Sequence, residues 1–201
     1  MKRLLLILIL TLSFQSWTKA DDIRDFQIEG MSIGDSLLDH FSKDEIQLYI
    51  NHQDTFHFKD KEYVIINTHG QKPYKKVESN YSFGGVTIKL SDTEYQIQNI
   101  GFVLRLKNGI KECHIKKSEI EESIALIFKD AKKESFDKKH SYDKTGNSKV
   151  YSTWFTIDNG TVAVHCEDWS KKLETEKNYF DRLKVTINSK QFDKYLQTAY
   201  E

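Results

Sequence analysis

The sequence predicts an α+β fold: antiparallel β-sheet built from hairpins and packed against an N-terminal helix pair, a central helix and a C-terminal helix. Apolar residues alternate with a period of two between Tyr63 and Ile115 and again beyond Lys149, while helical spacing is confined to separate stretches. Strands and helices do not alternate one for one, so the connections suit hairpins better than parallel crossovers. An aromatic content of 12%, with Pro73 as the single proline, favours β structure over disorder.

The chain opens on Lys2 and Arg3, continues as "LLLILILTLSF", and reaches Thr18-Lys19-Ala20 before an acidic pair. A basic start, a short apolar centre and small residues ahead of a cut make a secretory signal peptide, so residues 1–20 are expected to be removed on export. The apolar run is well short of the ~20 residues of a membrane helix, and no transmembrane segment is expected after cleavage. Without Lys2, Arg3 and Lys19, the 30 basic residues fall three short of the 30 acidic ones, for a formal charge of −3. That near-balance predicts no attraction to nucleic acid or anionic lipid. Residues 21–201 are long enough for a single domain with a real core. Its two halves, about 21–116 and 117–201, each read as a helical segment followed by strands.

Ser32 with Asp35, and Ser42 with Glu45, mark two helix starts, and Ile33, Leu37, Leu38, Phe41, Ile46 and Ile50 recur at helical spacing behind them. "EYVIIN", "SFGGVTIKL" and "QIQNIGFVLRL" then read as strands, with the two glycines of "FGGV" explained by a turn or a bulge. Asn108-Gly109 is a two-residue hairpin signal that pairs Leu104 with Cys113 and Phe102 with Ile115, directing Cys113 inward. "SEIEESIALIFKDAKKE" predicts the central helix from a Ser118/Glu121 capping box, with Ile120, Ile124, Ile127, Phe128 and Ala131 buried. The lysine-rich stretch beyond it, as far as Lys149, has no periodicity and reads as a surface loop.

Asn159-Gly160 repeats the hairpin signal, pairing Ile157 with Val162, Phe155 with Val164 and Thr153 with Cys166. Trp154, Thr156, Ala163 and His165 fall on the opposite face. "RLKVTI" is the last strand, and Phe192, Tyr195, Leu196 and Ala199 line one side of a closing helix.

Candidate chemistry is sparse. "VHCEDW" sets His165 beside Cys166, but neighbours on a strand leave opposite faces and do not grip one ion. "HQDTFH", His52 to His57, has a spacing that fits neither a helix face nor a strand face, so no metal site is expected. No serine sits in a nucleophile elbow, no nucleotide motif is present, and no cofactor is expected. "NYS" at Asn80 and "NGT" at Asn159 match the glycan acceptor pattern, and a turn or strand explains each. Cys113 and Cys166, an even pair in an exported chain, predict a disulfide.

"FQIEGMSIGDSLLDHF", "GIKECHIKKSEI" and "VHCEDWS" resemble a group of small, uncharacterised exported proteins of marine alphaproteobacteria. The resemblance implies a Gram-negative periplasm and carries no activity with it. In plan alone, a helix pair followed by antiparallel strands is similar to the β-lactamase inhibitor protein and to small outer-membrane assembly lipoproteins.

These readings point to an exported, soluble, periplasmic protein that is a binding or protein-interaction module, its partner another periplasmic protein or a small ligand. Aromatic side chains on a sheet face would form the contact surface. The alternative is a periplasmic hydrolase with a site assembled from distant residues. A deep pocket with convergent titratable groups would favour the enzyme, and a flat face exposing Trp154 and tyrosines the binder.

Overall fold

The computed structural model describes residues 22–28, 30–53, 55–68 and 83–199. The expected signal peptide, His69, Pro73 and Asn80 lie outside the described residues. Two short 3-10 turns, Ile23–Asp25 and Leu37–Asp39, precede helix α1 (Lys43–Ile50). Strands β1 (Phe56–His57), β2 (Tyr63–Asn67), β3 (Phe83–Lys89) and β4 (Ile97–Arg105) lead to the long helix α2 (Gly109–Ile127). Then come β5 (Lys132–Lys139), β6 (Lys149–Ile157), β7 (Gly160–Asp168), α3 (Lys171–Lys177), β8 (Arg182–Ser189) and α4 (Lys190–Ala199).

The eight strands among the described residues join one antiparallel sheet in the order β1-β2-β3-β4-β8-β7-β6-β5. The fold is therefore α+β, but hairpins alone do not build it. The last strand enters the middle, pairing with β4 on one side and β7 on the other, so strands from both halves of the chain share one sheet.

One face is apolar. Val64, Ile66, Val86, Ile100, Phe102, Val162, Val164, Val185 and Ile187 are all buried on it. They pack against Cys113, Ile124 and Phe128 of the α2 region and against Ile23, Met31, Leu37, Phe41 and Ile46 of the N-terminal segment. The alternation of an antiparallel sheet sends the intervening residues to the other face. There α4 lays Phe192, Tyr195 and Leu196 onto Phe58, Tyr63 and Ile65.

Several local expectations are corrected. Asn108-Gly109 does not turn a hairpin: Gly109 takes the expected positive φ, +65°, but at the first position of α2. Ile110, Cys113, Ile120, Ile124 and Ile127 keep helical spacing across the whole stretch, so an amphipathic stripe overrides the turn signal. Cys113 points inward from a helix rather than a strand, and Ile115, expected to face Phe102, is 62% exposed. Ser118 and Glu121 lie within α2 and not at its start.

The stretch read as a surface loop contains β5, every residue of which is exposed. The N-terminal pair is a 3-10 turn capped by Ser36 followed by α1, and only α1 has the full capping box, from Ser42 and Glu45. Asp35 instead accepts the Ser32 amide hydrogen bond at 2.7 Å without starting a helix.

The second hairpin forms with its register moved by two residues. Ile157 pairs with Gly160, Phe155 with Val162 and Thr153 with Val164, and the turn residues are Asp158 and Asn159. A two-residue slip leaves every side chain on its predicted face. Gly160 opens β7, and because a Cβ there would come within 2.2 Å of the Asn188 carbonyl oxygen, the close approach of β8 requires glycine at this position.

Candidate functional site

The α4 side of the sheet carries three adjacent cross-strand rows. The middle row runs Asn67, Gly85, Gly101, Thr186, Ala163, Trp154. Its centre is made of small residues, so it is a trough. On the side nearest α4 lies the row Ile65, Thr87, Asn99, Asn188, Thr161. On the far side lie Val103, Lys184, His165 and Ser152. With Phe58, Phe192 and Leu196 as a wall, the rows enclose an open groove of about 420 Å³.

The two glycines do different work. A Cβ on Gly85 would meet the Ile66 carbonyl oxygen at 2.9 Å, so the β2–β3 approach itself requires glycine. On Gly101 it would find only ordinary contacts, the nearest Thr186 Cγ2 at 3.6 Å. What Gly101 provides is space in the groove floor.

The polar row beside α4 is satisfied internally. Thr87 Oγ1 donates to Asn99 Oδ1 at 3.1 Å, and Asn99 Nδ2 donates to Asn188 Oδ1 at 2.6 Å. Asn188 Nδ2 in turn donates to Asp193 Oδ1 at 2.8 Å, which also accepts from Thr161 Oγ1 at 3.2 Å. Burial raises the Asp193 pKa against these hydrogen bonds. This chain of contacts ties the first turn of α4 to four strands, β3, β4, β7 and β8.

The opposite row is satisfied only in part. Lys184 is half-buried and lines the groove, and burial lowers its pKa. Its ammonium has no hydrogen-bond or ion-pair partner among the described residues. Its attractive acidic neighbour, Glu167, is already bound to Arg182 at 2.6 Å.

His165, directly across the β7–β8 ladder, has its pKa pushed down to about 4 by burial and by Lys184, Lys138 and Lys117. Its Nδ1 lies 2.8 Å from Ser152 Oγ. The Trp154 ring stands edge-on to it at 6.0 Å, and the buried Trp154 Nε1 has no partner.

The structure separates the other sequence candidates. Cys113 and Cys166 lie at bonding distance, with Cα atoms 5.8 Å apart, on the sheet face away from the groove. His165 therefore does point away from its neighbour Cys166. His57 Nε2 sits 3.0 Å from the Ile50 carbonyl oxygen, while Asp54 lies outside the described residues. Among the described residues no group of His, Cys, Asp and Glu is arranged to hold a metal ion, and no helix is long and apolar enough to cross a membrane.

Lys184, Gly101 and Asn99 were not legible as site residues. An outward lysine in "RLKVTI" looks solvated until β8 is placed mid-sheet with α4 folded back over it. No family model, curated protein or solved structure matches this chain.

Proposed function

We propose that this protein is an exported binding module whose groove, on the sheet face beneath α4, takes a small ligand. The observation that carries the reading is the trough of small residues at Gly101, Thr186 and Ala163, walled by Phe58, Phe192 and Leu196. Central strands ordinarily fill such a face with side chains, and the combination of concave shape, apolar lining and a few polar groups is that of a ligand site. Trp154 forms part of the groove rather than a flat exposed patch, which favours a small molecule over a protein partner. The bonding distance between Cys113 and Cys166 supports export to an oxidising compartment.

The enzyme alternative has one observation in its favour, the Ser152–His165 contact beside Lys184. Two others weigh against it. Ser152 is 2% exposed and does not line the groove. A histidine with a pKa near 4 is a weak base at neutral pH.

The test uses Nile red, a neutral dye that brightens in apolar sites. Wild-type protein should enhance its fluorescence saturably, and Gly101→Val should reduce the enhancement about tenfold at an unchanged melting temperature. Equal enhancement by the two proteins would place the dye elsewhere and remove the groove from the function.

A further inference from the structure

We propose that the ligand is a monoanionic amphiphile, a carboxylate on an apolar body, held with its carboxylate at Lys184 and its body along the trough toward α4. This rests on the groove being the binding site and adds which end of the ligand is charged and where that end lies.

The polarity of the groove is one-sided. The rim beside α4 has its amides and hydroxyls bound to one another through Asn99, Asn188 and Asp193, and it offers little to a ligand's polar head. The far rim holds a lysine without a partner, in surroundings poor enough in water to disfavour its charge. Such a cation is costly to keep unless an anion joins it. No carboxylate of the described residues does so, because Glu167 is engaged by Arg182 and Asp193 by Asn188 and Thr161. A bound carboxylate would supply the missing charge.

His165 adds a second polar group, neutral at pH 7. In the tautomer whose Nδ1 accepts from the Ser152 hydroxyl, the ring proton sits on Nε2 and can be donated to a ligand. One ammonium and one neutral N–H suit a singly charged oxyanion better than a phosphate dianion, which calls for more cations or a nest of amides.

The rest of the groove suits an apolar body. From Lys184 to Asn188 is four residues along β8, about 13 Å at the rise of a strand. Over that length the floor is Gly101, Thr186 and Gly85, and the wall at the α4 end is Phe58, Phe192 and Leu196. A medium-length acyl chain fits that span with its head at the lysine.

The experiment displaces Nile red from the purified protein with decanoate and, in parallel, with decan-1-ol, which has the same chain and no charge. Decanoate should displace the dye at a concentration at least about tenfold lower, the preference expected from one charge-assisted contact. Lys184→Met should abolish that preference by weakening displacement by decanoate, and Lys184→Gln should do the same if the methionine variant folds poorly.

Equal displacement by the two ligands in the wild type would overturn the proposal with the groove reading intact. A preference for decanoate that survives loss of the lysine would overturn it too, by placing the carboxylate elsewhere. Failure of the dye to bind the groove at all counts against the groove itself, through the Gly101→Val comparison.

Discussion

Lys184 and His165 face one another in register across β7 and β8, and burial lowers the pKa of each. For His165 the consequence is measurable as acid sensitivity. Its folded pKa is about 4 against an ordinary value of 6.5. Between those values the unfolded chain takes up a proton at this ring and the folded protein does not, so stability falls as pH falls. The full difference is about 3 kcal/mol, complete near pH 4 and absent above about pH 7. Burial also lowers the His140 pKa, which adds in the same direction, while the raised pKa of Asp193 opposes it. The comparison that isolates His165 is therefore between proteins. Urea denaturation at pH 7 and pH 4.5 should show a smaller loss of stability for His165→Gln than for the wild type, and equal losses would mean that the ring is solvated.

At the scale of elements, the strands were the legible part. β2, β3, β4, β6, β7 and β8 emerge from period-two patterning, and α4 from the spacing of Phe192, Tyr195 and Leu196. The failures have physical causes. Asn-Gly announces a positive φ but does not specify the next element, so at Asn108 a helix begins where the turn signal predicts a hairpin. β5 is illegible because its eight residues are all exposed and lack an apolar face. It is a strand because β6 offers a ladder to pair with, a tertiary effect that local propensity does not carry.

That same composition protects the sheet. Among the described residues β5 pairs only with β6, leaving one edge open, and four of its residues are lysines. Charged side chains, lysine above all, are how natural sheets discourage edge-to-edge pairing. Replacing Lys132, Lys138 and Lys139 with valine should shift the protein toward larger species in size-exclusion chromatography at micromolar concentration. An unchanged elution volume would show that the edge is closed by other means.

At the scale of the molecule, three layers must hold together for the groove to exist: α2 with the N-terminal segment, the sheet, and α4. The α4 layer is fixed by the Asn99–Asn188–Asp193 contacts and an aromatic cluster in which the Tyr63 and Tyr195 rings lie 4.4 Å apart. The α2 layer is joined to the sheet through Cys113 and Cys166, 53 residues apart in sequence. The segment between them holds the rest of α2 with β5 and β6, so the bond closes a loop around the edge half of the sheet. Closing a loop of that length restricts the unfolded chain and stabilises the fold by about 4 kcal/mol in the chain-entropy model. Both cysteines are fully buried against apolar neighbours, so paired serines would also strand two hydroxyls. Paired alanines are the cleaner variant. Cys113→Ala with Cys166→Ala should lower the melting temperature by roughly 10 °C, and reductant should do the same to the wild type without further effect on the variant. Because the bond lies on the sheet face opposite the groove, Nile red binding at room temperature should survive in the variant. A melting temperature indifferent to both treatments would mean that the thiols are not bonded in solution, and that side-chain packing alone holds α2 on the sheet.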